Sequence, residues 1–187
     1  MRKNFGAKAI LYPMPVLIIG TYDGDGKANA MNAAWGGISE ETQISICVDN
    51  SHKTAENVVK NGAFTVSIAD VENLTACDFI GIVSGNTDPD KIGKTGWHAV
   101  KSKCVNAPLF EELPVALECK LISYDEDSCR LVGEIVNVCA DEKVLDENEK
   151  IDLNKFSPIT YDPVHHTYRK LGEVVGKAFS DGAKLKN

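Results

Sequence analysis

The chain has 187 residues, of which 43% are hydrophobic and 25% are charged, and its formal net charge is -7 at pH 7. This composition is typical of one ordinary globular domain and excludes a fibrous or disordered chain. The acidic balance disfavours binding to nucleic acid or to an anionic membrane, but it leaves room for a local basic site that holds one small anion.

The first part of the chain has the pattern of strands joined by turns. Residues 16–22 form a short, β-branched apolar run that predicts a buried strand, and residues 23–26 (Asp-Gly-Asp-Gly) predict a hairpin turn. Residues 28–37 continue as a strand with unusually small or amide side chains, so its backbone can be approached closely. Residues 43–48 alternate polar and apolar types, which predicts a third strand.

A helix follows this third strand. Residues 51–61 predict a helix that Ser51 or Thr54 caps and that Gly62 ends. Residues 63–68 then predict another strand.

The middle of the chain predicts a second helix and a loop. Asp70 is a candidate cap for a helix that runs to about Gly81, and residues 84–97 are rich in Gly, Asp, Asn and Lys, which is typical of a long loop.

The last third adds a strand pair and a tail. Residues 115–121 and 131–140 predict two strands joined by a turn at residues 125–128. Residues 141–155 predict an acidic, solvated connection, and residues 169–179 predict a final short helix. At least six strands with hairpins favour a closed or partly closed antiparallel barrel with flanking helices over a parallel α/β sheet.

Cysteine spacing and the apolar runs bear on the cellular compartment. The six cysteines are 10 to 30 positions apart, so no Cys-x-x-Cys pair exists, and we expect reduced, mostly buried thiols in a cytoplasmic protein. No run approaches the roughly 18 to 20 apolar residues that cross a bilayer. Residues 12–15 (Tyr-Pro-Met-Pro) interrupt the first apolar stretch, so we expect neither a membrane segment nor a signal peptide.

Two short motifs have simpler explanations than a catalytic site. Residues 93–95 (Gly-Lys-Thr) end like a phosphate-binding P-loop, but Asp88 stands where that pattern requires Gly. His165 and His166 are adjacent and have no third ligand nearby in the sequence, so we expect no metal.

Residues 29–35 (Asn-Ala-Met-Asn-Ala-Ala-Trp) form the first segment with a functional signal. Small and amide side chains weaken a central strand, because they pack less apolar surface than β-branched ones. A flat heterocycle lying against the backbone would explain them. A close-packed neighbouring strand or a subunit interface would explain them equally well.

Residues 50–54 (Asn-Ser-His-Lys-Thr) form the second such segment, at the start of the predicted helix. Free backbone N–H groups, two hydroxyls and a lysine converge there, where the helix dipole favours negative charge. An ordinary helix cap with a solvated lysine is the simpler interpretation. Because only one short strand separates the two segments, together they favour a site for a phosphorylated heterocycle.

The order of these segments resembles the flavin reductase-like, FMN-binding split-barrel family, and most of all its flavoredoxin branch. The resemblance runs from about residue 10 to residue 180. It rests on residues 21–24 (Thr-Tyr-Asp-Gly), 29–35, 51–54, 62–68, 84–85 (Ser-Gly), 90–91 (Asp-Lys), 114–119, 132–136 and 168–172 (Tyr-Arg-Lys-Leu-Gly).

The resemblance implies a six-stranded antiparallel Greek-key split barrel and a homodimer with one FMN per subunit near the dimer interface. It implies a single domain over residues 1–187, with residues 141–187 as a C-terminal extension that packs on the barrel. The implied isoalloxazine-binding residues are Asn29, Ala30, Met31, Asn32, Ala33 and Ala34. The implied phosphate-binding residues are Asn50, Ser51, His52, Lys53 and Thr54, and residues Ser84, Gly85 and Tyr168 would border the flavin or the partner subunit. Trp35 is either a core residue or a flavin contact.

The implied function is that of an FMN-dependent oxidoreductase that passes electrons to a flavin, a metal chelate or a redox protein, with no side chain acting as a catalytic nucleophile and no metal. One departure concerns NAD(P)H: related reductases often carry a His just before the Gly-Glu strand, and residues 127–134 contain none. An alternative is therefore a flavin-binding electron carrier without its own NAD(P)H-dependent catalysis. A structural dimer that has lost its cofactor is a third possibility.

Overall fold

The structure is a computed structural model that describes residues 1–186. Its helices are α1 (Lys53–Asn61), α2 (Leu74–Ile82) and α3 (Lys91–Thr95), with 3-10 turns at Glu142–Val144 and Asp181–Leu185. Its strands are β1 (Met14–Pro15), β2 (Leu17–Tyr22), β3 (Ala28–Ala33), β4 (Gly36–Glu40), β5 (Gln43–Cys47), β6 (Ala63–Ile68), β7 (Ala99–Lys101), β8 (Pro108–Phe110), β9 (Val115–Asp125), β10 (Arg130–Ala140), β11 (Ile159–Asp162) and β12 (Thr167–Lys170).

Seven strands form one antiparallel sheet in the order β3-β2-β6-β9-β10-β5-β4. The two edge strands, β3 and β4, are consecutive in the chain and are joined only by Ala34 and Trp35. Two linking residues reach on the order of 10 Å, so the sheet must curl until its edges meet. The mainly β, antiparallel barrel with flanking helices is thus confirmed, with seven strands in its main sheet instead of six.

The barrel is filled by side chains from alternate strand positions. Leu17, Ile19, Phe64 and Val66 pack inside it with Val58 from α1. The intervening side chains point outward and are buried under the second helix, so β2 is covered on both faces: Val16, Ile18, Ala30, Cys77, Ile80 and Phe110 share this second cluster. Helix α2 is therefore fixed against the outside of β2 and β3.

The predicted C-terminal helix over residues 169–179 is wrong. Residues Thr167–Lys170 pair with β11 as strand β12, and β11 pairs with β1, which gives a separate three-stranded sheet. Residues 171–178 have no regular structure, and Val174 and Val175 are more than 90% exposed. Glycines and β-branched residues are poor helix formers, and nothing in the described chain offers these two valines a surface to pack on.

Three other local predictions need correction. The single strand over residues 28–37 is two strands, because the chain crosses between the sheet edges at Ala34 and Trp35. The loop over residues 84–97 contains α3, which Lys91 and Ile92 anchor by burial. The second helix starts after Asn73, whose backbone N–H donates to Asp70 Oδ1 at 2.8 Å, so Asp70 shapes the turn before the helix.

All six cysteines are free thiols, as expected, but only Cys77 and Cys119 are buried, while Cys47 and Cys104 are exposed. The expectation of mostly buried thiols is therefore wrong. Within residues 1–186, no helix is both long and apolar enough to span a membrane.

Candidate functional site

A cleft of about 470 Å³ lies where β3, the start of α1 and the end of α2 meet. It brings together the two segments that the sequence analysis singled out, because β3 and α1 pack on neighbouring parts of β2. Its lining residues are Asn29, Met31, Asn32, Ser51, His52, Lys53, Thr54, Ile80, Gly81, Ile82, Val83, Ser84, Gly85 and Lys91. Nine of the fourteen residues assigned to cofactor binding line this cleft.

The start of α1 presents unpaired hydrogen-bond donors. The cap is His52, which makes no side-chain capping hydrogen bond, so the prediction of a Ser51 or Thr54 cap is wrong. Among the described residues, the backbone N–H groups of Lys53 and Thr54 donate to no acceptor. Exposed N–H groups at a helix start carry partial positive charge and bind anions.

Two side chains at this helix start are already engaged. Lys53 Nζ lies 2.9 and 3.0 Å from the two carboxylate oxygens of Glu56, one turn along the helix. Ser51 Oγ donates to Asp49 Oδ1 at 2.6 Å. The Ser51 hydroxyl and backbone N–H both donate to Asp49, and these hydrogen bonds hold the pKa of that carboxyl below its ordinary value. An anion at this position would compete with Glu56 for Lys53.

The amide side chains of β3 are held in fixed orientations. Asn29 Nδ2 donates to Thr54 Oγ1 at 3.1 Å, and Asn32 Nδ2 donates to the Cys77 carbonyl of α2 at 3.0 Å. Asn29 is buried and Asn32 is half-buried. Gly85 packs closely on this arrangement, since a Cβ added there would lie 2.4 Å from Asn29 Oδ1.

The other assigned residues lie around the cleft in different ways. Ala30 and Ala33 point their side chains into the two core clusters, so only their backbone groups could face a ligand. Asn50 is exposed and is not among the cleft-lining residues. Ala34 and Tyr168 line a neighbouring hollow. Trp35 is 59% exposed and so is not a core residue.

Lys91 is a cleft residue that the sequence analysis did not assign. It is only 3% exposed, and its Nζ donates to the carbonyl oxygens of Val83 at 2.9 Å and Ile80 at 3.2 Å, at the C-terminal end of α2. Burial lowers its pKa to about 8, although the nearby Asp88 carboxylate opposes that shift. The Asp90-Lys91 pair in the resemblance was the signal that could have drawn attention to it.

The neighbouring hollow, of about 340 Å³, is lined by Val16, Asn32, Ala34, Asp78, Gly81, Ile82, Tyr161 and Tyr168. Its tyrosines come from the β11–β12 hairpin, and Tyr168 Oη donates to Asp78 Oδ1 of α2 at 2.7 Å. Burial and the Asp78 carboxylate raise the pKa of Tyr168 well above its ordinary value. The hydrogen bond therefore ties the C-terminal hairpin to the helix that forms the back of the cleft.

The side chains of the two adjacent histidines contact different residues. His165 Nδ1 lies 3.0 Å from Asp162 Oδ2, and His166 Nδ1 lies 2.7 Å from Tyr161 Oη. The part of the chain that the structure describes contains no group of three or more His, Cys, Asp or Glu side chains that could hold a metal ion.

Comparison with known proteins decides the family. Residues 9–170 match the flavin reductase like domain. The chain belongs to this family. Flavoredoxin of Desulfovibrio vulgaris (Miyazaki F) superposes with a TM-score of 0.93 and 37% sequence identity, over 97% of this chain and all of that one. The flavoredoxin from Methanosarcina acetivorans superposes with a TM-score of 0.88 and 26% identity, over 99% of this chain and all of that one.

A sequence relative extends the comparison to a third organism. The uncharacterized protein YwrF of Bacillus subtilis (strain 168) is 31% identical over 179 residues, which cover 86% of this chain and 85% of that protein. The resemblance stated from sequence is confirmed at the level of the family, with flavoredoxins among its structural neighbours. Membership of this family supports a flavin-binding redox role.

Proposed function

We propose that the cleft binds FMN and that the protein is an FMN-dependent oxidoreductase of the flavin reductase and flavoredoxin type. The observation that carries the proposal is the meeting, in one cleft, of an amide-lined strand and a helix start with two unpaired N–H groups. A flat heterocycle with a phosphate needs both: a backbone-accessible surface for its ring and a positive site for its tail. The FMN-binding proteins among its structural relatives support the choice of FMN.

The donor set of the cleft fits this cofactor. The N–H groups of Lys53 and Thr54 and the Lys53 ammonium would hold the phosphate, with Ser51 and His52 beside them. Asn29, Met31 and Asn32 would contact the ring, together with backbone groups of residues 30–34. Ser84 and Gly85 would close the other side of the cleft. The cleft volume of about 470 Å³ lies within the usual range for a cofactor site.

When bound, FMN supplies the electron-transfer chemistry, and the protein supplies binding, orientation and electrostatics. The buried Lys91 ammonium places positive charge along the cleft, and together with any backbone donors of β3 that face the ring it would favour a negatively charged reduced ring. Ile80 and Val83 line the cleft on the side of α2 and would limit water there. No nucleophilic side chain is required, and electrons would leave to a flavin, a metal chelate or a redox protein.

A homodimer is part of the proposal. The edge strand β4 leaves Ile38 64% exposed, and the preceding Trp35 is 59% exposed. A second copy of the chain would remove this apolar surface from water.

The six free thiols are in keeping with a cytoplasmic location.

A flavin-binding electron carrier without NAD(P)H-dependent catalysis is the second candidate. It is favoured by residues 127–134, which run from the β9–β10 turn into β10 and contain no histidine. Cys129, in this turn, has its carbonyl 2.8 Å from the Val48 backbone N–H, so the turn lies close to the segment that leads into α1.

The visible spectrum of the purified protein tests the proposed cofactor, before and after incubation with FMN. Flavin absorption bands that remain after gel filtration support the proposal, and a protein that stays colourless contradicts it. Stopped-flow mixing then separates the two candidates. An NAD(P)H-dependent enzyme is reduced by NADH or NADPH alone within its turnover time, whereas a carrier waits for a reduced partner protein.

A further inference from the structure

We propose that the hollow beside the cleft binds the second reactant, and that this reactant is an uncharged or cationic planar aromatic molecule. This inference rests on the proposed function, because it takes the adjoining cleft as the FMN site. It adds a site and a ligand class for the molecule that exchanges electrons with the cofactor.

The hollow and the cleft are contiguous. Asn32, Gly81 and Ile82 line both spaces, and they come from β3 and from the last turn of α2. A ligand in the hollow therefore contacts the same residues as a ring in the cleft. The hollow volume of about 340 Å³ suits a molecule with one or two fused rings.

The walls of the hollow combine two tyrosine rings and aliphatic side chains with the polar groups of Asn32 and Asp78. The Tyr161 and Tyr168 rings have centroids 6.1 Å apart and planes inclined by 54°, so together they form an angled aromatic surface. Val16, Ala34 and Ile82 supply the aliphatic part. Aromatic rings pack on tyrosine with a defined geometry, and this favours a flat ligand.

Charge distinguishes the hollow from the cleft. Lys53 and Lys91 line the cleft, whereas the one ionisable group other than tyrosine that lines the hollow, within residues 1–186, is the Asp78 carboxylate. Tyr168 donates to only one of its oxygens, Oδ1. An anion in the hollow would lie close to this carboxylate in a partly buried space, where repulsion is stronger than in water.

Within residues 1–186, Asp78 forms no ion pair with a charged group of the adjoining hairpin, Lys170 included. Arg169 Nε is directed to Asp162 Oδ2 at 3.4 Å, and His165 Nδ1 contacts that same oxygen at 3.0 Å. His166 is paired with the Tyr161 hydroxyl. The site is therefore basic where we place the phosphate and acidic where we place the second reactant, so the two ligands do not exchange places.

A matched pair of redox-inactive probes tests this inference without turnover. The dissociation constants of 2-naphthamide and 2-naphthoate, which have the same ring and differ in charge, are measured on the FMN-loaded protein by ligand-observed NMR. We expect the native protein to bind naphthamide at least about fivefold tighter than naphthoate. In Asp78→Asn, the dissociation constants of the two probes should lie within about twofold of each other, because the affinity for naphthoate alone increases. Asp127→Asn, in the β9–β10 turn, is the matched control and keeps the native ratio.

Two further variants keep the test decisive. Tyr168→Phe removes the hydroxyl that donates to Asp78, so it should increase the preference for naphthamide over naphthoate. This variant tests the role of the Asp78 charge even if Asp78→Asn folds poorly. Tyr161→Leu should weaken both probes. The inference is overturned by a native protein that binds naphthoate as tightly as naphthamide, or by Asp78→Asn and Tyr168→Phe proteins that keep the native ratio. Failure of the native protein to take up FMN contradicts the proposed function instead, and the inference with it.

Discussion

Asn29 Nδ2 donates to Thr54 Oγ1 at 3.1 Å, and both side chains are buried, with 7% and 1% of their surface exposed. This hydrogen bond joins β3 directly to the first turn of α1. Because a buried polar pair loses stability when one partner is displaced, the strand and the helix start behave as one unit. The two halves of the candidate FMN site therefore keep a fixed separation.

Gly85→Ala should weaken FMN binding. An added Cβ would lie 2.4 Å from Asn29 Oδ1 and 3.4 Å from Lys53 Cβ, so the Asn29 amide would have to move off Thr54. We expect FMN affinity to fall about fivefold, which is the size of effect expected when one buried hydrogen bond is displaced. Fluorescence titration of FMN measures it.

Gly37→Ala is the matched control for this substitution, since a Cβ at Gly37 meets no atom within 4 Å. Equal FMN affinities for the Gly85 and Gly37 variants would show that Asn29 does not take part in cofactor binding.

Glu56→Gln should strengthen FMN binding. The Glu56 carboxylate now holds the Lys53 ammonium with both oxygens, and it places a negative charge near the helix start. The amide releases Lys53 toward the phosphate, and we expect a gain of about threefold, in keeping with the modest strength of an exposed ion pair. The exposed Glu147→Gln is the control, and a lower affinity for the Glu56 variant would contradict this reading of the site.

FMN affinity should fall as the pH rises through about 8. Burial lowers the pKa of Lys91 to about 8, so the unliganded protein loses this cleft cation between roughly pH 7 and 9. An anionic ligand binds more tightly when Lys91 is charged. The affinity for FMN should therefore fall several-fold as Lys91 loses its proton over this range. Lys91→Met should bind FMN more weakly at pH 7 and show little of this pH dependence, as isothermal titration at several pH values would reveal.

The lowered pKa of Lys91 also affects the stability of the unliganded protein. Since the folded protein releases the Lys91 proton at a lower pH than the unfolded chain does, the free energy of unfolding should rise between pH 8 and 10.5. The contribution is about 3 kcal/mol, at 1.36 kcal/mol for each unit of pKa. Urea unfolding of the native and Lys91→Met proteins at several pH values measures this contribution. If the free energy of unfolding depends on pH in the same way in both proteins, the lowered pKa of a buried Lys91 is contradicted.

Local patterns in the sequence were enough to predict most of the barrel. Residues 16–22 and 63–68 are short apolar runs bounded by turn residues, and they form β2 and β6, two buried inner strands of the sheet. The Gly62 helix end was also predictable, because its φ of 66° is one that glycine adopts readily. Each of these features depends on neighbouring residues alone.

The features that escaped prediction depend on residues far apart in the chain. The break at Ala34 and Trp35 exists because the sheet closes on itself, and no pattern within ten residues encodes that closure. Lys91 is buried only because α3 packs on α2 and its ammonium reaches two α2-end carbonyls. The segment after Lys170 forms no α-helix, because it is rich in glycine and valine and has no packing surface in the described chain.

The most direct test compares FMN with riboflavin, which has the same ring system but no phosphate. If the start of α1 holds the phosphate, the native protein binds FMN at least about tenfold tighter than riboflavin. Lys53→Ala combined with Thr54→Ala should then lose severalfold in FMN affinity, more than in riboflavin affinity, while Lys60→Ala at the far end of the helix changes neither. Equal affinities of the native protein for the two flavins, or a double variant that keeps its FMN affinity, would contradict the account.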